Sequence, residues 1–126
     1  MILGIGIDGI EIERFVKWRN YSFKKLCRIF SEEEVAYCLE KPDKSAERFA
    51  VRFAAREALY KALSYAYFDT KIPFLTLCAQ TKIFMVGPQP HLIFKNEFFD
   101  SDNHKIHLSL SHSDNQALAF VIIEKR

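Results

Sequence analysis

The chain has 126 residues, 49% of them hydrophobic, and 18 basic side chains set against 16 acidic ones leave a formal net charge of +2. This length suits a single domain spanning residues 1–126, the apolar share excludes a disordered chain, and the small net charge does not suggest the strongly basic surface of a nucleic-acid binder. Cys27, Cys38 and Cys78 are odd in number and lack the paired spacing of a zinc site, so they read as thiols in a reducing, cytoplasmic setting. No apolar run approaches the roughly 20 residues that a membrane span needs. The opening MILGIGID is apolar, but Asp8 interrupts it and no basic residue precedes it, so it does not read as a signal peptide.

In chain order, Met1 to Ile7 reads as a strand leading into Asp8, with Gly4 and Gly6 marking close approach by another backbone or a ligand. Ile12, Phe15, Val16, Phe23 and Leu26 carry a helical signal. Within the same stretch, Arg14 to Arg28 holds six basic side chains and no acid. Ser31 with Glu34 three residues on is a capping box, opening a helix that runs to about Glu40 and stops before Pro42. The longest helix is expected from about Ser45 to about Tyr65. Beyond Pro73, the segments Leu75–Val86, Pro90–Lys95, Lys105–Ser111 and Gln116–Glu124 read as strands, the last two joined through a turn at Ser113–Asn115. Helices first and a mostly antiparallel sheet afterwards make the expected class α+β.

The long helix contains RFAAREALYKAL, in which Glu57 is bracketed by Arg52, Arg56 and Lys61. Ala54, Ala55, Ala58 and Ala62 cluster on one face, where small side chains let the helix backbone come close to a neighbour. Glu57 and Lys61 at i, i+4 would by themselves make an ordinary solvated pair, and Asp8 alone would make an ordinary turn residue. Together, however, Asp8 and Glu57 offer two hard oxygen ligands, the number that magnesium usually takes from protein while water and phosphate fill its other positions. Bases around such a metal would hold further phosphate oxygens, which is what a diphosphate substrate requires.

GIGIDGIEIERF at Gly4–Phe15, RFAAREALYKAL at Arg52–Leu63 and HLSLSHSDNQALAFVII at His107–Ile123 together resemble the holo-acyl-carrier-protein synthases, the small single-domain 4′-phosphopantetheinyl transferases, over essentially the whole chain. The resemblance implies transfer of the phosphopantetheine arm of coenzyme A to a serine of apo acyl carrier protein, with release of adenosine 3′,5′-bisphosphate. It implies Asp8 and Glu57 as magnesium ligands and catalytic residues, and Arg52, Arg56, Lys61 and His112 as coenzyme A contacts. It also implies Arg14, and with it the basic stripe through Lys24, Lys25 and Arg28, as the face met by the acidic carrier protein. A homotrimer with its active sites at the joints between protomers is implied as well. Large apolar side chains at Phe84, Phe94 and Phe120 are compatible with such an interface. Two positions depart from the family pattern: Arg56 stands where the family usually has Lys, and SYAYFDTKIP replaces a glycine-rich loop. That second departure keeps open a non-enzymatic coenzyme A or nucleotide-binding module as the alternative. His91, His104 and His107 lack metal-ligand spacing.

Overall fold

The computed structural model describes residues 1–67 and 71–126. The strand β1 (Ile2–Glu11) is followed by 3-10 turns at Ile12–Phe15 and Trp18–Asn20. Then come the helices α1 (Phe23–Leu26), α2 (Glu32–Glu40), α3 (Ser45–Ala66) and α4 (Phe74–Ala79), with a further 3-10 turn at Pro42–Lys44. The strands β2 (Thr81–Val86), β3 (Gln89–Phe94), β4 (His104–His112) and β5 (Gln116–Lys125) complete the chain. The class is α+β, as expected. Every strand pairing is antiparallel, but the strands form two sheets: a three-stranded one in the order β1-β5-β4, and a β2-β3 hairpin.

Local sequence accounts for several boundaries. Ser31 accepts from the Glu34 amide while Glu34 accepts from the Ser31 amide, so the capping box is complete and α2 starts as expected. Gly87, at φ +59, opens the two-residue turn between β2 and β3, a backbone conformation that a side chain resists. Ser113 accepts from the amides of Asn115 and Gln116 and so closes the β4–β5 turn.

Three expectations are corrected. Asp8 lies within β1 rather than after it, because β5 pairs with β1 as far as Glu11, opposite Gln116. Leu75–Ala79 is helical, not extended: Phe74, Leu77 and Cys78 recur at i, i+3 and i+4, and Leu77 and Cys78 face the core. Phe94 belongs to the core, whereas Phe84 and Phe120 are exposed.

The helix α3 lies across the inner face of the large sheet, where Gly4, Gly6, Asp8 and Ile10 alternate inward from β1. Ala54, Ala55, Ala58 and Ala62 are all fully buried. A Cβ added at Gly6 would stand 1.9 Å from the Ala58 carbonyl oxygen, and one at Gly4 would stand 2.2 Å from that of Ala62. Helix and strand therefore touch backbone to backbone, and this draws the functional residues of both elements together. Gly6→Ala is expected to push α3 off the sheet and to destabilise the fold by about 3 kcal/mol, at the upper end of overpacking costs. Chemical denaturation would measure it, and a variant within about 0.5 kcal/mol of wild type would show that the contact yields easily.

Candidate active site

Asp8 projects from β1 toward α3, and only 9% of it is exposed. Lys61 crosses from the helix to meet it, donating to Asp8 Oδ1 at 2.9 Å and to the Ile7 carbonyl at 3.0 Å. Glu57 sits one helical turn before Lys61 and faces the same carboxylate. Burial, then the negative charge of Asp8, pushes the Glu57 acid up, while Lys61 and Arg14 pull it down. Two carboxylates thus meet beside one ammonium, and among the described residues the buried Asp8 Oδ2 has no hydrogen-bond partner.

These features fit a divalent cation. An unpartnered buried carboxylate oxygen and a neighbouring carboxylate with a raised acid both gain from a positive charge placed between them. Among the described residues no group of three or more His, Cys, Asp or Glu side chains gathers to hold a metal. A two-carboxylate site completed by water and phosphate suits magnesium, whereas a closed four-ligand cage would suit zinc.

The surrounding bases fall into distinct environments. Arg52 is almost wholly buried; its Nη1 donates to the Arg48 carbonyl at 3.2 Å, its guanidinium lies 4.7 Å from the centre of the Tyr37 ring, and its Nε has no partner among the described residues. Arg48 lies closer to the same ring, at 3.9 Å. Arg56 requires a correction. It is completely buried, donates from Nη1 and Nη2 to the two Glu34 carboxylate oxygens at 2.9 and 2.6 Å, and reaches the Thr81 carbonyl at 3.0 Å. A guanidinium enclosed in this way has no surface to offer a coenzyme, because Glu34 and the Thr81 carbonyl, both distant along the chain, close over it. The sequence signal missed here was Glu34, which reads as a helix cap and serves as the partner of Arg56 as well.

His112 is exposed at the end of β4, with Nδ1 3.6 Å from Glu47 and 3.4 Å from the Ser113 carbonyl. The strand registers place it opposite Ala117 and Asp8 opposite Ala119. Two strands across and two residues along, its backbone is about 12 Å from that of Asp8. One chain alone does not bring His112 to the carboxylate pair. Arg14, Lys24, Lys25 and Arg28 are all exposed, in the stretch between β1 and α2. Of these Arg14 is electrostatically coupled to Glu57, and Lys25 covers the Tyr21 ring at 3.9 Å. The segment that replaces the glycine-rich loop falls partly on residues 68–70, outside the described residues.

Comparison with known proteins gives the family. The family model of the 4′-phosphopantetheinyl transferase superfamily matches residues 4–121. The holo-[acyl-carrier-protein] synthase of Treponema denticola is 40% identical, across 98% of this chain and 99% of its own. That of Clostridium tetani is 38% identical, across 98% and 97%. Among solved structures, a holo-(acyl-carrier-protein) synthase from Bacillus anthracis in complex with CoA (3′,5′-ADP) superposes with a TM-score of 0.79 at 34% identity, covering 100% of this chain and 99% of that one. Matching motifs, fold and length leave one assignment: the chain belongs to the 4′-phosphopantetheinyl transferase superfamily, among its holo-acyl-carrier-protein synthases.

Proposed function

We propose that the chain transfers 4′-phosphopantetheine from coenzyme A to a serine of apo acyl carrier protein, using magnesium held by Asp8 and Glu57. The observation that carries this reading is the meeting of Asp8, Glu57 and Lys61 between β1 and α3. In the transfer, the serine oxygen forms a bond to the β-phosphorus, the bond to adenosine 3′,5′-bisphosphate breaks, and the serine proton is released. Magnesium would supply neutralisation of the charge on the diphosphate. The Lys61 ammonium, already held at this spot by Asp8, would contact a diphosphate oxygen, and the buried Arg52 would supply a second cation for a phosphate. The setting proposed is the cytoplasm, in keeping with the three free thiols. The test is to mix purified protein, coenzyme A, magnesium and apo carrier, then weigh the carrier. One added phosphopantetheine arm is expected, and none with any of several carriers would refute the reading.

Self-association completes the proposal. Ile5, Ile7, Leu118 and Phe120 project together from the outer face of the large sheet, each more than a third exposed, with Ile7 directly opposite Phe120. A contiguous apolar face of this kind supports self-association, and a homotrimer is the assembly proposed from the family resemblance. Because His112 stands apart from Asp8 within one chain, the trimer would bring it to a neighbour's carboxylates. Co-refolding an Asp8→Ala chain with a His112→Ala chain is expected to restore part of the activity that each lacks alone. If mixing is verified and activity stays absent, the two residues are not shared across a joint. A monomer on a sizing column would remove the trimer.

The basic stripe supports carrier docking, since Val16, Tyr21 and Phe23 lie exposed among its cations. Replacing Lys24 and Lys25 together with Glu should raise the KM for acyl carrier protein about tenfold and leave coenzyme A binding unchanged. Salt should weaken the wild-type encounter in the same sense. Equal losses for both substrates would argue against a separate docking surface.

A further inference from the structure

The face that α3 turns away from Glu57 carries a second ionic arrangement to which the transfer reaction assigns no part. Arg56 immediately precedes Glu57 and is completely buried. Its two terminal nitrogens grip both oxygens of Glu34, while Nη2 also reaches the Thr81 carbonyl and Nη1 the Arg52 carbonyl. Glu34 Oε2 in turn accepts from the Ser31 amide at 2.9 Å and from the Ser31 hydroxyl at 2.8 Å. One guanidinium thereby ties the middle of α3 to the first turn of α2 and to the first residue of β2.

We infer that Arg56 is a positioning residue, which with Glu34 sets the slide and roll of α3 and so holds Glu57 and Lys61 opposite Asp8. The inference deepens the proposed function, since its metal readout rests on the assignment of Asp8 and Glu57.

The need for such a clamp lies on the other side of the helix. Packing registers between elements come from side chains that interlock as ridges and grooves. Here the contact is Gly4 and Gly6 against the backbone of Ala58 and Ala62. That surface fixes how close helix and strand come but offers few projections along β1; Val121 and Ile123 of β5 are buried on the same inner face, and their apolar packing sets no polar register for the helix. The polar side chains of α3 that reach toward Asp8, Glu57 and Lys61, are long and flexible and would follow a displacement rather than prevent it. A bidentate guanidinium–carboxylate pair differs because its planar fork admits one geometry. Buried, it meets no competition from water. Since a helix is stiff over one turn, a displacement of Arg56 is carried to Glu57, the next residue, and to Lys61, five residues on.

A merely stabilising pair would also destabilise the protein when cut, so stability alone is no test. Replacing both partners of a buried pair by apolar residues of similar size often preserves stability, but it removes the directional fork. The variant is therefore Glu34→Leu with Arg56→Met, verified as folded by circular dichroism. Two readouts apply: Mn2+ affinity by titration, and, in metal-free protein, the 15N signal of the Lys61 ammonium bonded to Asp8. The inference expects Mn2+ affinity to fall about tenfold, in the range for groups that orient metal ligands, with the Lys61 signal shifted or broadened. A folded double variant with wild-type Mn2+ affinity and an unchanged Lys61 signal overturns it. If the double variant does not fold, Arg56→Lys keeps the charge and loses the fork; about threefold weaker Mn2+ binding supports the clamp, and unchanged values overturn it. Should the wild type itself bind no Mn2+, the metal assignment fails separately, and the Lys61 signal alone decides the clamp.

Discussion

Asp8→Ala and Glu57→Ala are each expected to lower turnover by at least about 1,000-fold while leaving the fold intact. The size follows from the charge that the site must offset: removing one preorganised electrostatic partner of a developing charge costs about 100- to 1,000-fold. Here each carboxylate is also half of a proposed two-ligand metal site, so its loss removes the cation too. The fold should survive for different reasons at the two positions. Asp8→Ala gives up the bond from Lys61, whose half-exposed ammonium can turn to water, and replacing Glu57 removes an acid that burial, and then the charge of Asp8, disfavours in its charged form. Steady-state rates at saturating magnesium, with circular dichroism as the control, would check this. Turnover within about tenfold of wild type by either variant would sink the proposed metal pair.

Glu34→Ala is expected to have the largest effect on stability. It strands the Arg56 guanidinium in the core without its carboxylate, and breaking a buried pair from one side costs about 3–5 kcal/mol. Against the roughly 5–15 kcal/mol that holds a typical domain, this removes a large fraction. The contrast is Lys44→Ala, which cuts the 3.8 Å pair with Glu47 near the start of α3. Exposed pairs of that kind contribute about 0.3–0.5 kcal/mol, so its unfolding midpoint should barely move. Denaturant unfolding of both variants measures the difference. A Glu34→Ala protein within about 1 kcal/mol of wild type would mean that water or a rearranged side chain satisfies Arg56.

Much of the fold is legible along the chain because its signals are local. The capping box at Ser31 and Glu34 starts α2, Pro42 follows its end, and the period of Phe49, Phe53 and the alanines marks α3 almost to its last residue. The alternation of Ile106, Leu108 and Leu110 with His107, Ser109 and Ser111 places β4. Leu75–Ala79 misleads because five residues rich in Leu and Thr fit a strand by composition, while the i, i+3, i+4 recurrence that makes them helical needs Phe74 to be counted.

The carboxylate pair was likewise legible, since an Asp in one motif and a Glu amid bases in another point to the same chemistry wherever the chain puts them. What the sequence alone determined is therefore the α+β class, the main helices and the transferase resemblance; it also singled out Asp8, Glu57 and Lys61, which the fold brings together. Only the tertiary structure decided which bases face the site and which face the core. Arg52 and Arg56 share one flank of α3 by spacing, yet Arg56 meets a carboxylate 22 residues earlier while Arg52 lies against an aromatic ring. His112 likewise lies two strands from Asp8 although its motif counts it into the site. The physical reason is that periodicity gives the direction of a side chain relative to its own element. What it meets there depends on residues distant along the chain, whose arrival is settled by burial and pairing.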